Sequence, residues 1–283
     1  MKTPIVRDSR TERARSKVFS GARGAPTISL DLAASSSQQT KLSETTLSAN
    51  LLMEILEMNA TPAIDDVIRE RRSKRGFLER PVPLDTVKDI LSTASHAPSS
   101  SNTQPWRCYV VTGEARDRVT KAAVAEFRAN HATLAPEYPF FPQPLHDPYA
   151  SRFNTFRGQL GDAQGVHRSD KTGRLRDVER QFLFFDAPVG IIFTMDRRLE
   201  WASFLCYGCF LQNIMLAAKG RGLDTCPQQI WSLQHHVLRA ELGIPQDEMV
   251  IAGMSLGWAN NGLPENCMTL HKTPVEQFAT FTH

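Results

Sequence analysis

The chain is poor in several things at once. No stretch of its 283 residues approaches the roughly 18 uninterrupted apolar residues of a membrane span, and mean hydropathy is −0.32, which excludes an integral helical membrane protein. Cysteine is scarce: five residues, an odd number without scaffold spacing, exclude a disulfide-stapled fold and fit a reducing, cytoplasmic compartment. With 16 glycines and 17 prolines, collagen-like and low-complexity classes are excluded too. No apolar h-region with a small-residue cleavage site marks a secreted precursor. What remains is ordinary globular composition, with 41% hydrophobic and 22% charged residues.

Net charge is also small, +3, and unevenly spread. Lys2, Arg7, Arg10, Arg13, Arg15, Lys17 and Arg23 face only Asp8 and Glu12 within residues 1–30, a local +5 that leaves −2 for the rest. The basic excess belongs to the tail and advertises no nucleic-acid partner. Ala33 to Ser48 is rich in Ser, Thr and Gln, so residues 1–60 are expected to be a disordered or loosely structured extension. An Arg- and Ser-containing transit peptide is a second reading of that tail. Residues 47–58 (LSANLLMEILEM) have the pattern of a short amphipathic helix.

Residues 61–283 read as one α+β domain. A helix is expected from Thr61-Pro62 to Arg71, a second from Leu84 to just before Pro98, and a third over Glu114–Asn130. Trp106–Thr112 and Val189–Met195 have strand composition, as does Met249–Trp258. Trp201 to Ala218 reads as a buried helix, carrying Cys206 and Cys209 as core residues. A further helix is expected to end at Phe185, and another around Leu233–Leu242. Residues 131–175, rich in Pro, Gly and aromatics, are expected to be irregular, either a lid or short helices, and Gly220–Gln229 a loop.

Two motifs are decoys. Gly253-Met254-Ser255-Leu256-Gly257 matches the G-x-S-x-G nucleophile elbow, but turn residues rather than a helix follow it. Gly220-Arg221-Gly222 follows a helix and lacks the third glycine of a dinucleotide fingerprint. The cluster Arg71-Arg72-Ser73-Lys74-Arg75 has two readings: a solvated basic helix end that complements the dipole, or a phosphate site of guanidinium forks and a hydroxyl. Ala97-Pro98-Ser99-Ser100-Ser101-Asn102-Thr103-Gln104-Pro105-Trp106 packs amide and hydroxyl groups between prolines, a loop suited to reading the edge of a heterocycle. Asp224-Thr225-Cys226-Pro227-Gln228-Gln229 is a stiff turn whose main-chain N–H groups could face a ligand.

Together, over about residues 62–280, these segments resemble the FMN-dependent nitroreductase family. Its marks are R-x-S-x-R/K, then P-S-S-x-N-x-Q-P-W, then a G-x-x-T-x-P turn. The TCPQ form and Phe182–Arg197 are similar to the nitrobenzoate reductase branch. The resemblance implies a mainly antiparallel central sheet flanked by helices, in an entwined homodimer with FMN at the interface. It implies that Arg71, Ser73 and Arg75, with Arg72 close by, hold the FMN phosphate and ribityl chain. Pro98, Ser99, Ser100 and Asn102 would meet the isoalloxazine from the partner subunit, and Gln228 and Gln229, beyond Pro227, would place N–H groups near flavin N5. Lys272 stands where the family has an arginine, keeping the charge and losing the fork. The implied activity is ping-pong transfer from NADH or NADPH through FMN to nitroaromatic or quinone acceptors, with no side-chain catalyst and no metal. Tyr138, Phe140, Phe141 and Tyr149 are candidates to cover a small aromatic substrate. Alternatives within the fold are reductive dehalogenation, flavin consumption, or flavin binding without catalysis. Neither a nucleic acid nor a membrane is an expected partner.

Overall fold

The structure is a computed structural model and describes residues 64–139, 142 and 144–282. The expectations for residues 1–60, for the helix start at Thr61-Pro62, and for Phe140 and Phe141 lie outside the described residues.

Four antiparallel strands form one sheet in the order β1-β2-β4-β3: β1 Arg107–Thr112, β2 Val189–Asp196, β3 Asp224–Gln228 and β4 Glu248–Gly257. The two central strands are near-continuous apolar runs because both of their faces are covered; every residue of β4 is buried. Among the described residues, seven α-helices surround them: α1 Ile64–Glu70, α2 Leu84–Ala94, α3 Gly113–Asn130, α4 Tyr149–Gln164, α5 Lys171–Phe182, α6 Trp201–Lys219 and α7 His235–Leu242. Ile191, Phe193 and Met195 point to one face, where they pack with Ile90 of α2 and Phe210 and Ile214 of α6. Ile192 and Val250 point to the other, with Val119 and Phe127 of α3, Phe182 and Trp231.

Side-chain size explains two glycines of the central strands, Gly253 of the decoy elbow and Gly190 of β2. A Cβ on Gly253 would stand 2.2 Å from the Trp231 ring, and one on Gly190 would stand 2.4 Å from Phe184. Their absence lets Trp231 and Phe184 stack at 4.4 Å directly on the sheet. Ser255 lies mid-strand and fully buried, its hydroxyl donating to Gln228 Oε1 at 2.8 Å, so it is no exposed nucleophile.

Three expectations need correction. Residues 131–175 are not irregular throughout: their second part holds α4, a 16-residue helix longer than the short helices allowed for, and the start of α5. Only Leu160 of α4 is buried, so its sequence carries little of the periodicity that betrays a helix. Gly220–Gln229 is not simply a loop, since its second half is β3, disguised by its length and by Pro227. Finally, α5 ends at Phe182, and a turn with positive φ at Phe184, Phe185 and Asp186 leads into β2.

Helix α6 has a mean hydropathy of 1.3 and is long and apolar enough to cross a membrane by length and composition. In the fold it buries one stripe, Cys206, Tyr207, Phe210, Ile214 and Ala218, against α2 and the sheet. Cys206 is therefore a core residue as expected, whereas Cys209 is only half-buried. The opposite face leaves Trp201 72% and Leu205 76% exposed in the single chain.

Candidate active site

Helix α1 stops at Glu70, and Arg71–Arg75 runs along the outer edge of β3. Ser73 bridges Thr225 in parallel, with the Lys74 N–H donating to the Thr225 carbonyl at 3.1 Å. The following residues continue onto the end of β4, where Leu78 N–H donates to the Trp258 carbonyl at 2.8 Å. This path brings Arg71, Arg72, Ser73, Arg75 and, from the far end of the chain, Lys272 onto the wall of one cavity of about 640 Å³. The structure thus gathers all five residues expected to hold a phosphate.

The electrostatics of that cavity are open. Among the described residues, Arg71, Arg72, Arg75 and Lys272 make no salt bridge. Arg75 donates to the Ser73 carbonyl at 3.1 Å and lies 5.2 Å from the Phe156 ring centre. Arg72 donates to the main-chain carbonyls of Arg71 and Arg69. Burial and the neighbouring Arg72 charge lower the Arg71 pKa, as expected for cations crowded without a counter-ion. The acid on the wall, Glu265, is already taken by Arg180 of α5 at 3.1 Å. A set of half-buried guanidinium groups with no carboxylate to meet fits an oxyanion that accepts bidentate hydrogen bonds.

The β3 edge continues from this cradle. Because the Thr225 carbonyl faces outward to Lys74, alternation along the strand turns Pro227 outward as well, and Asp224, Cys226 and Gln228 toward β4. Pro227, which lacks an N–H, is tolerated there because an outer edge asks for no ladder bond. The Gln228 side chain is buried, donating to the Gln181 carbonyl at 2.7 Å and accepting from Ser255. The other member of the expected pair, Gln229, is exposed and opens the 3-10 turn that follows β3. Beside it, the half-buried Tyr138 donates to the Ile251 carbonyl, meets the Gln229 side chain, and packs 5.4 Å from Phe204. Burial raises the Tyr138 pKa, with the Gln229 hydrogen bond opposing. Tyr149, by contrast, is exposed at the start of α4.

Pro98, Ser99, Ser100 and Asn102 do not line the cradle. Their loop lies against α6, with the Ser100 N–H on Cys206 Sγ at 3.3 Å and Trp106 stacked on Phe210 at 4.7 Å. Ser101, Asn102 and Gln104 have φ of 48°, 59° and 47°, the left-handed region that costs non-glycine residues energy. Ser99 Oγ accepts the Gln104 N–H at 3.1 Å and helps to hold that shape. The result is a row of exposed polar groups on a stiffened turn, facing away from the core.

Sequence reasoning missed Phe156, Glu265 and Asn266 on the cavity wall and Arg180 behind it. None lies in a motif, and their neighbours in space are scores of residues away in sequence.

Over the residues that build the sheet, the Arg71–Arg75 segment and the polar loop, the chain matches the nitroreductase family model, from residue 68 to residue 258. The chain belongs to the nitroreductase family and is an oxidoreductase. It is 72% identical to the nitrobenzene nitroreductase of Ectopseudomonas oleovorans over 226 residues, 80% of this chain and 100% of that protein. It is 36% identical to the 4-nitrobenzoate reductase of Pseudomonas putida, over 79% of this chain and 96% of that protein. Among solved structures, the FMN- and NADPH-dependent nitroreductase NfnB from a Sphingopyxis strain superposes with a TM-score of 0.76 at 31% identity, covering 78% of this chain and all of that one.

Proposed function

We propose that the protein is an FMN-dependent NAD(P)H nitroreductase that acts on small nitroaromatics as a homodimer in the cytoplasm. The observation that carries this reading is the cradle: three arginines on a loop hydrogen-bonded to the β3 edge, joined by Lys272, none of them paired with a carboxylate among the described residues. Arg71, Arg75 and Lys272 would take the FMN phosphate with the Ser73 hydroxyl, while Arg72 adds charge at the rim. Bound there, FMN supplies a site that accepts hydride from a nicotinamide and passes electrons to a nitro group. The protein's own task is binding and orientation. Gln229, just beyond the end of β3, would offer its N–H to the flavin, and Tyr138 and Phe204 give an aromatic wall beside it. The identities of nitrobenzene and chloronitrobenzene nitroreductases, 72% and 70%, favour an uncharged nitroarene as acceptor.

The second copy is supported by α6. Its exposed Trp201 and Leu205 form an apolar face for a partner to cover, while the exposed polar loop Pro98–Asn102 rests on another side of the same helix, against Cys206. Five cysteines without a disulfide support a reducing compartment, and the buried stripe of α6 supports a core helix over a membrane span.

The test is direct. Purified protein should carry the visible absorption of flavin, lose it on addition of NADH or NADPH without oxygen, and regain it with nitrobenzene. A protein that stays colourless after incubation with FMN would refute the cofactor reading. One that binds FMN but is not bleached by either nicotinamide would refute the catalytic one.

A further inference from the structure

We propose that Asn266 is the positioning residue of the phosphate cradle, an inference that rests on the flavin-phosphate reading above. The cradle holds like charges that repel each other before any anion arrives, so its shape must be kept by the backbone beneath them. That backbone is fastened at residues 75 and 76. Asn266, only 4% exposed, accepts the Arg75 N–H on Oδ1 at 2.6 Å and donates from Nδ2 to the Gly76 and Asn260 carbonyls, both at 2.8 Å. Its own main-chain carbonyl accepts Lys74 Nζ at 2.7 Å. One buried amide therefore uses its acceptor and both donors on main-chain groups, three of the bonds such a side chain can make.

The neighbouring residue completes the clamp. Glu265 holds Arg180 Nη1, and Arg180 Nη2 donates to the Arg75 carbonyl at 2.7 Å. Arg75 is thus gripped through its N–H by Asn266 and through its C=O by Arg180, leaving only its guanidinium to address the cavity. A Cβ on Gly76 would stand 2.1 Å from Leu263 Cδ1, so glycine leaves room for that side chain beside the clamp. Asn266 projects no charge of its own toward the cavity; it acts through Arg75 and Lys74.

The experiment compares FMN with riboflavin, which lacks the phosphate, by fluorescence titration of the full-length apoprotein, with thermal unfolding of the same apoprotein as a second measurement. Wild type should prefer FMN. Asn266→Ala should weaken FMN binding by about tenfold or more and leave riboflavin binding unchanged, because a misplaced Arg75 loses a charge-assisted bond to phosphate. Arg180→Met, which leaves Asn266 in place, should reduce the preference in the same direction and serves as the deciding variant if Asn266→Ala does not fold. Retention of the wild-type preference in the folded variants, or equal weakening toward both flavins with a lowered melting temperature, would overturn the positioning role. Absence of any FMN preference in wild type would instead overturn the phosphate reading itself.

Discussion

The two ends of β4 treat charge in opposite ways. At its start, Glu248 and Glu137 are buried and saturated. Glu248 takes hydrogen bonds from Arg107, Thr194 and Tyr109, and Glu137 from Arg197, Arg239 and the Val250 N–H. At its other end, beside Gly257 and β3, the cradle cations pair with no carboxylate among the described residues, the wall's own Glu265 being held by Arg180. Closed charge there holds elements together, whereas open charge here waits for a ligand. Evolution of a binding site on this sheet has meant leaving one cluster incomplete at a cost in self-repulsion.

That contrast can be broken from either side. The largest effect is expected at the closed end: Glu137→Ala removes the carboxylate that Arg197 and Arg239 share, leaving the Arg239 charge only the Glu248 and His235 carbonyls, and should destabilise the protein by about 3–5 kcal/mol in chemical denaturation. A loss within error would show that the closed cluster is ornamental. Acid should act on the same groups. Burial alone would raise the Glu137 and Glu248 pKa values, but the arginine, hydroxyl and N–H hydrogen bonds outweigh it and hold both below the ordinary carboxylate value. A carboxylate whose folded pKa is depressed stabilises the fold above its unfolded pKa, roughly 4, and that stability is lost as pH falls through the folded value. The melting temperature should therefore fall below about pH 4, and Glu248→Gln should flatten that fall.

At the open end the outcome should reverse. Arg71→Ala is expected to weaken FMN binding by roughly 10- to 100-fold while the apoprotein melts no lower, because removing one of several like charges relieves repulsion. A large drop in apoprotein stability would make Arg71 structural. The smallest effect is expected of Lys272→Arg, which adds a second donor to the same charge and should tighten FMN by a few-fold, measured by the same titration.

Much of this was legible in the sequence for physical reasons that can be named. Arg71, Ser73 and Arg75 stand in a local motif, and β2 and β4 are apolar runs that only a doubly covered strand can use. Helix α4 escaped because it buries one residue, leaving composition rather than periodicity to speak for it. Strand β3 escaped because Pro227 reads as a turn until an edge position is known. Asn266 could not be found at all, since its role depends on a contact 191 residues away. Local chemistry is written locally; what aims it is assembled by the fold.

Pro227 has a consequence for the life of the chain outside any reaction. A sheet edge left open for a small ligand is also open to another strand, and repeated strand addition is how folded proteins drift into aggregates. With Ser73 already bridging Thr225 and proline removing the next outward donor, an incoming strand would find two successive outward positions that cannot complete a ladder. The edge can receive a flat molecule without inviting a neighbour's backbone.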